Sequence, residues 1–269
     1  MLWFTHPGWQ ECAENPVTGR PFGGSEVILH LTEDPGYQML CGARNGSPYA
    51  LLVSRCMAHW EYAVSDFLQY QDELGRDVLC AMDKADYAHA LEATAGHLYD
   101  ERALRPWEAP VLVHSTTPEG WEGIRRDGAV RCWSALQAQH ADWEAAPIGT
   151  KLGDPVDFSD YVMFSMGHVA GEIVVLSKQT GHINMDVKAE YTPGARLYFD
   201  AAAIAADGLL TRDGAHVKVR GALPLHPYLL CAVTPQDLGL ARSTPAEFTK
   251  LANVAFRERF PGMKLAVEG

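Results

Sequence analysis

The chain has 269 residues, 47% of them apolar, with a formal net charge of −12 at pH 7. That is ample material for one large or two small cores; no apolar run approaches a membrane span, and the Met1-Leu-Trp-Phe-Thr-His-Pro-Gly8 start lacks the basic segment and apolar core of a secretory signal, so a cytoplasmic site is expected. Residues 1–110 carry 7 Lys/Arg against 16 Asp/Glu, residues 111–235 carry 10 against 14, and residues 236–269 carry 5 against 4; so acidic a first segment argues against non-specific nucleic-acid binding, which depends on neutralising phosphates.

Taken in order, Glu26 to Leu31 and Ala50 to Ser54 read as strands, Met57 to Leu74 as an aromatic-rich helix, Asp77 to Met82 as a third strand and Asp86 to Arg102 as a second helix. Asp34-Pro-Gly, Asn45-Gly and Gly75 supply turns between them. Gly23-Gly24-Ser25 lacks the downstream lysine and Ser/Thr of a phosphate loop and reads as a turn, and His59 and Trp60 read as packing or partner contacts. Arg105 to Pro110, with two prolines and a tryptophan, forms a junction. The expectation is an acidic α+β segment over 1–107, with a possible protein partner, and a separate module over 108–269.

Val111, Leu112 and Val113 form an apolar, β-branched run, predicted as a buried strand whose exposed end carries His114, Ser115, Thr116 and Thr117. Thr117 has the features of an N-cap. Pro118 occupies the first helical position, Glu119 and Glu122 lie in the first turn, Trp121 and Ile124 share a face, and Gly128 supplies the stop. A donor-rich turn at a strand end beside a helix N-terminus suits a polar or anionic ligand, although any ordinary β-turn-α connection has the same outline. Pro147 to Pro155 is irregular, and reads either as an acceptor-recognition loop or as a solvated connector.

Further on, Tyr161 to Phe164 reads as a strand bounded by Asp160 and Ser165-Met166-Gly167. Pro245 to Arg259, with Phe248, Leu251, Ala252, Ala255 and Phe256 at helical spacing, is expected to be a packing helix. The cysteines at 12, 41, 56, 80, 132 and 231 form no Cys-x-x-Cys pair and read mostly as reduced, buried thiols. The histidines form no His-x-x-x-His pair, so no metal site is expected, and His140, His182 and His226 read as structural or surface residues.

Three of these segments, in order, resemble the motifs of the ADP-ribosyltransferase superfamily, over about residues 110–235. His114-Ser115-Thr116, followed by a helix ending Ile124-Arg-Arg-Asp-Gly128, is similar to the first motif, where a strand carries His-Gly-Ser or His-Gly-Thr. Ser159 to Gly167 resembles the second, in which an aromatic residue stacks on nicotinamide; Tyr161 is the first choice, with Phe164 and Ser165 as alternates. Gly194 to Val233 resembles the end of the RNA 2′-phosphotransferase and DNA-modifying toxin branches. The third position is usually Glu, Gln or Asp, and here it falls on His216.

The resemblance implies a split mixed β-sheet, NAD as co-substrate, and transfer of ADP-ribose to a nucleic-acid or protein acceptor with release of nicotinamide. His114 would take the adenosine-side ribose, Ser115 and Thr116 would shape the donor turn, Tyr161 would lie against nicotinamide, and His216 near the reactive ribose. The transition state of such a transfer has oxocarbenium character, which a carboxylate favours; a neutral histidine replaces only its hydrogen bond, and a protonated one opposes the cation. Three explanations of His216 stay open: a variant active site, a shifted alignment with Asp213 or Asp200 as the carboxylate, or a fold that binds a nucleotide without turnover, as a sensor or interaction module. The 2′-phosphotransferase branch lacks the glutamate and uses a basic set instead, for which Arg125, Arg126, Arg131, Arg196 and Arg220 are the available residues.

Overall fold

The structure, a computed structural model, describes residues 1–34, 39–95, 102–139 and 147–266. The Asp34-Pro-Gly turn, the last turns of the helix expected to reach Arg102, and His140 therefore lie wholly or partly outside the described residues. The fold is α+β, with helices and both parallel and antiparallel strand pairs. The chain packs into two compact units: Met1–Glu101 with Leu152–Pro155 and Arg212–His216, and the remainder, Arg102–Lys151, Val156–Thr211 and Val217–Gly269. Two short segments distant in sequence thus complete the first unit.

The first unit is built on a five-stranded sheet. Its strands are β1 (Leu2–Thr5), β2 (Glu26–Thr32), β3 (Met39–Ala43), β4 (Tyr49–Ser54) and β5 (Asp77–Ala81), in the spatial order β1-β5-β2-β4-β3. Val27, Ile28, Leu29 and Leu31 are buried in β2, as are Tyr49, Ala50, Leu51 and Val53 in β4, which is the near-continuous apolar pattern of strands covered on both faces. β1, β5, β2 and β4 pair in parallel, and β3 closes one edge antiparallel to β4. Helices α1 (Trp60–Glu73) and α2 (Lys84–Ala95) pack on each other, with Ser65 Oγ and Thr94 Oγ1 3.0 Å apart. β1 and β3 were not expected from sequence.

The second unit contains β6 (Val111–Thr116), α3 (Pro118–Asp127), β7 (Ala129–Arg131), α4 (Trp133–Gln139), β8 (Tyr161–Phe164), α5 (Ala170–Thr180), β9 (Ala195–Asp200), α6 (Ala201–Ala206), β10 (Leu210–Arg212, whose last residue is counted with the first unit), β11 (Val217–Arg220), β12 (Ala222–Pro224), β13 (Leu229–Val233) and α7 (Pro245–Arg259). Two three-stranded sheets, ordered β8-β11-β10 and β13-β9-β6, stand beside a β12-β7 pair. An antiparallel bridge between Val113 and Ser165 links the two sheets, each backbone N–H donating to the other's carbonyl at 2.7 and 2.8 Å.

Alternation along β6 and β9 gives their sheet two apolar faces. Leu112, Leu197 and Phe199 join a core with Phe164, Ile204, Val217 and Val219, while Val111, Val113 and Tyr198 join one with Val233, Ala252 and Phe256 of α7. The expected C-terminal packing helix is α7: Phe248, Ala252 and Phe256 are fully buried. Thr244 caps it, accepting from the Glu247 N–H at 3.2 Å.

Candidate functional site

The turn after β6 is built as its residues require. Thr117 Oγ1 accepts the Gly120 N–H at 3.1 Å, Pro118 opens α3, and Gly128 ends it in the left-handed conformation, φ +65°. Gly194 passes so close to this helix start that a Cβ there would sit 2.1 Å from the Thr117 carbonyl carbon.

His114 lies half-buried on β6, opposite Leu197. Its Nδ1 is 3.1 Å from the Met163 carbonyl oxygen, and the Phe164 ring meets it edge-on at 6.0 Å between centroids. A carbonyl only accepts, so Nδ1 carries the proton and Nε2 is left as an acceptor. Burial pushes the ring's pKa down to about 4, against the Met163 carbonyl, which raises it, and with Lys178 lowering it further. At neutral pH His114 is a neutral imidazole, suited to accept a hydroxyl proton.

The strand's period of two separates its neighbours. Thr116 shares the face of His114, whereas Ser115 points to the other side of the sheet. There its hydroxyl donates to Glu172 Oε1 at 2.6 Å and accepts from Arg196 Nη1 at 3.2 Å. Glu172 also accepts from the Tyr191 hydroxyl at 2.6 Å and pairs with Arg196 at 3.2 Å. Arg196 reaches the carbonyls of Gly167 and His168 and the Asn253 side chain as well. Arg196 and Glu172 are 0% and 1% exposed, so this is an internal tie between β9, α5, α7 and the turn after β8, and Ser115 belongs to it. Gly171 permits the approach: a Cβ there would lie 2.7 Å from Ser115 Oγ.

The same alternation places Tyr161 and Met163 on one face of β8 and Val162 and Phe164 on the other. Phe164 is therefore the aromatic residue that touches His114, and it is buried against Phe199 at 5.7 Å. Tyr161 lies instead beside Lys218, whose Nζ is 4.5 Å from its ring centroid and 4.1 Å from that of Phe158. Ser165 forms the bridge to Val113.

His216 belongs to the first unit. Its Nδ1 is 3.2 and 3.3 Å from the two oxygens of Asp213, and its Nε2 is 3.7 Å from Cys41 Sγ. Burial pulls this ring's pKa down, but the Asp213 carboxylate and Cys41 outweigh it and bring it up to about 10. Asp213, 1% exposed, also accepts the N–H groups of Ala215 and His216 at 3.0 and 2.8 Å. Asp200 caps α6 through Ala203 at 3.0 Å.

Of the arginines considered for a basic set, Arg196 is wholly internal, Arg125 pairs with Glu122, and Arg126 and Arg131 both pair with Asp127. A cleft of about 650 Å³ runs along the outer side of α3, lined by Trp121, Arg125, Thr192, Pro193, Pro235 and Leu240 among others. Neither His114 nor Phe164 lines it. Among the described residues no group of three or more His, Cys, Asp or Glu is placed to hold a metal ion, and no helix is long and apolar enough to cross a membrane. The thiols are less uniformly buried than expected: Cys80 and Cys132 are, Cys12 and Cys56 are exposed, and Cys41 and Cys231 are intermediate.

The class that the fold defines is thus an α+β protein of two units. No family model, no curated protein and no solved structure matches the chain.

Proposed function

We propose that the second unit binds NAD⁺ and transfers ADP-ribose to a nucleic-acid or protein acceptor with release of nicotinamide. The observation that carries this reading is His114: a neutral imidazole with its acceptor nitrogen left over, held by a backbone carbonyl of β8 and flanked by an aromatic ring. Such a group accepts a hydroxyl of the adenosine-side ribose. Thr116 and the capped start of α3 shape the adjoining turn, where the helix dipole favours the pyrophosphate. Ser115 supports the turn through the Glu172–Arg196 tie rather than contacting the dinucleotide. Phe164 is the nearer aromatic to His114, and Tyr161 the alternative surface for nicotinamide.

A second reading, NAD⁺ binding without turnover, is favoured by His216. It stands where the motif usually has a carboxylate, and it packs within the first unit beside Asp213 and Cys41. Nicotinamide release from NAD⁺ by the full chain, with pooled RNA, DNA and protein acceptors present or absent, separates the two. Release that His114→Ala abolishes and that labels an acceptor supports the transferase. Saturable NAD⁺ binding without release supports the second reading, and no binding at all removes both. Tyr161→Ala and Phe164→Leu in the same assay identify the ring that nicotinamide needs.

A further inference from the structure

The first unit contains an arrangement independent of any nucleotide site. Cys41, His216 and Asp213 form a chain of contacts, from thiol to imidazole at 3.7 Å and from imidazole to carboxylate at 3.2 and 3.3 Å. These are a nucleophile, an acid/base and an orienting group in the order that covalent catalysis uses. The imidazole reaches Cys41 through Nε2 and Asp213 through Nδ1, so the two contacts use opposite ring nitrogens.

The fold spends three separate pieces of chain on holding it. Cys41 sits in the edge strand β3, opposite Leu51 of β4. Asp213 to His216 form a turn fixed by the two N–H bonds to Asp213, and Gly214 at its centre has φ +89°. A Cβ on Gly214 would lie 2.6 Å from both the Ala63 carbonyl oxygen and Leu51 Cδ2, so only glycine lets this turn lie against α1 and β4. Gly153, φ +78°, packs against Ala43, where a Cβ would be 2.5 Å away, and this seats the third segment beside β3. Tyr49 of β4 completes the surroundings: burial raises its pKa, and Asp213, Cys41 and Asp154 raise it further, so it stays a neutral phenol. The group remains reachable, with Cys41 partly exposed and the His216 side chain 27% exposed. Met39, two residues from Cys41 and hence on the same strand face, is 37% exposed and offers an apolar contact beside the thiol.

We infer that Cys41, His216 and Asp213 constitute a second reactive site, a cysteine nucleophile that takes the acyl group of a small thioester or ester with an apolar acyl chain. The attacking form is the thiolate, with the His216 imidazolium 3.7 Å away as its counterion. Cys41 Sγ attacks the carbonyl carbon, forming a carbon–sulfur bond as the bond to the leaving thiolate or alkoxide breaks. The leaving group takes the proton from His216 Nε2. The neutral ring then removes a proton from water, which attacks the acyl-cysteine; the carbon–sulfur bond breaks, the free acid departs and the thiolate–imidazolium pair is restored. The net reaction is hydrolysis, with no redox change. Asp213 is a positioning residue, holding the ring and its charge.

The test uses the full chain and its own thiols as controls. Limiting iodoacetamide is added across about pH 5 to 10, and each cysteine is read by peptide mass mapping. Cys41 is expected to react at least ~10-fold faster than the exposed Cys12 and Cys56 below about pH 7, with His216→Gln abolishing that advantage. Asp213→Asn keeps the acceptor of the turn and removes only the charge that holds the ring, so it should slow Cys41 alkylation while leaving Cys12 and Cys56 unchanged. Octanoyl and acetyl thioesters of N-acetylcysteamine are then offered. Acylation of Cys41, faster with octanoyl and absent in Cys41→Ala, supports the site. A Cys41 no more reactive than Cys12 and Cys56, one whose alkylation rate ignores Asp213→Asn, or one that alkylates but never carries the acyl group overturns it. NAD⁺ enters none of these readouts.

Discussion

The two units treat a half-buried histidine in opposite ways. In the second, His114 is surrounded by a carbonyl, an aromatic ring and apolar strand residues; desolvation goes unopposed by any anion and the ring stays neutral. In the first, His216 is also desolvated, but the internal Asp213 carboxylate sits against it and the ring is held charged. Burial alone does not set the charge of a histidine; the sign follows from whether the fold has buried a carboxylate with it. The second unit does bury a carboxylate, Glu172, but spends it on Arg196 on the opposite face of β6 from His114. The division of carboxylates between the units therefore determines which histidine suits an uncharged hydrogen bond and which suits acid/base work.

The largest expected effect comes from breaking the tie that keeps Glu172 occupied. Arg196→Ala leaves Glu172 as an internal charge and strips a partner from Ser115, Asn253 and two carbonyls, at a cost of about 3–5 kcal/mol. Hydrogen exchange read peptide by peptide should show the loss in β6, β9, α5 and α7. Adding Glu172→Gln should recover part of it, because the uncompensated charge is gone. Exchange in β6, β9, α5 and α7 that is the same in Arg196→Ala as in the wild type would mean the network contributes little.

The contrast of the histidines is then sharpened by pH. NMR titration should place His114 near 4 and His216 near 10. The folded His114 binds its proton less readily than the unfolded chain, whose histidine titrates near 6.5. Its linked stability is therefore full above about pH 6.5 and is lost as pH falls towards 4, by at most about 3 kcal/mol. For His216 the folded pKa is raised, so its contribution is full below about pH 6.5 and is lost as pH rises towards 10. Exchange protection should thus weaken on the acid side in β6 and β9 and on the alkaline side in β3 and β4. His114→Gln and His216→Gln should each remove one trend and spare the other; a single variant that removed both would refute the separate assignment.

What could be read from sequence follows from the range of the interactions. α3 was legible to the residue, because Thr117, Pro118 and Gly128 are local signals; so were β8 and α7, where alternation or helical spacing is unbroken. α5 was not expected: its buried positions include Glu172 and Ser177, polar residues that blur the apolar stripe. His114 was found through the strand-turn-helix pattern around it, but the sorting of Ser115 away from it required the pairing with β9. Phe164 was an alternate and Tyr161 the first choice, since nothing local says which face of β8 meets β6. Nothing local marks Cys41, because its partner lies 175 residues away and no spacing rule spans that separation. Asp213 reads from sequence as a substitute carboxylate, although its three-residue spacing to His216 is a local signal for the pair.

The smallest effect contrasts two helix starts, one from each unit. α3 begins on Thr117, in extended conformation with its hydroxyl on the Gly120 N–H, so Thr117→Ala should cost about 1 kcal/mol. α1 begins on His59, which adopts φ +61° and makes no side-chain capping bond. Glycine there relieves the left-handed strain and forfeits the ring contact with Tyr62, two small terms of opposite sign, so His59→Gly should change stability by less than about 0.5 kcal/mol. Urea unfolding monitored by exchange in α3 and in α1 measures both. A large loss from His59→Gly would mean that the His59 ring, through Tyr62 and its other neighbours, fixes the start of α1 in place of a cap, and that α1 and α3 begin by different physical means.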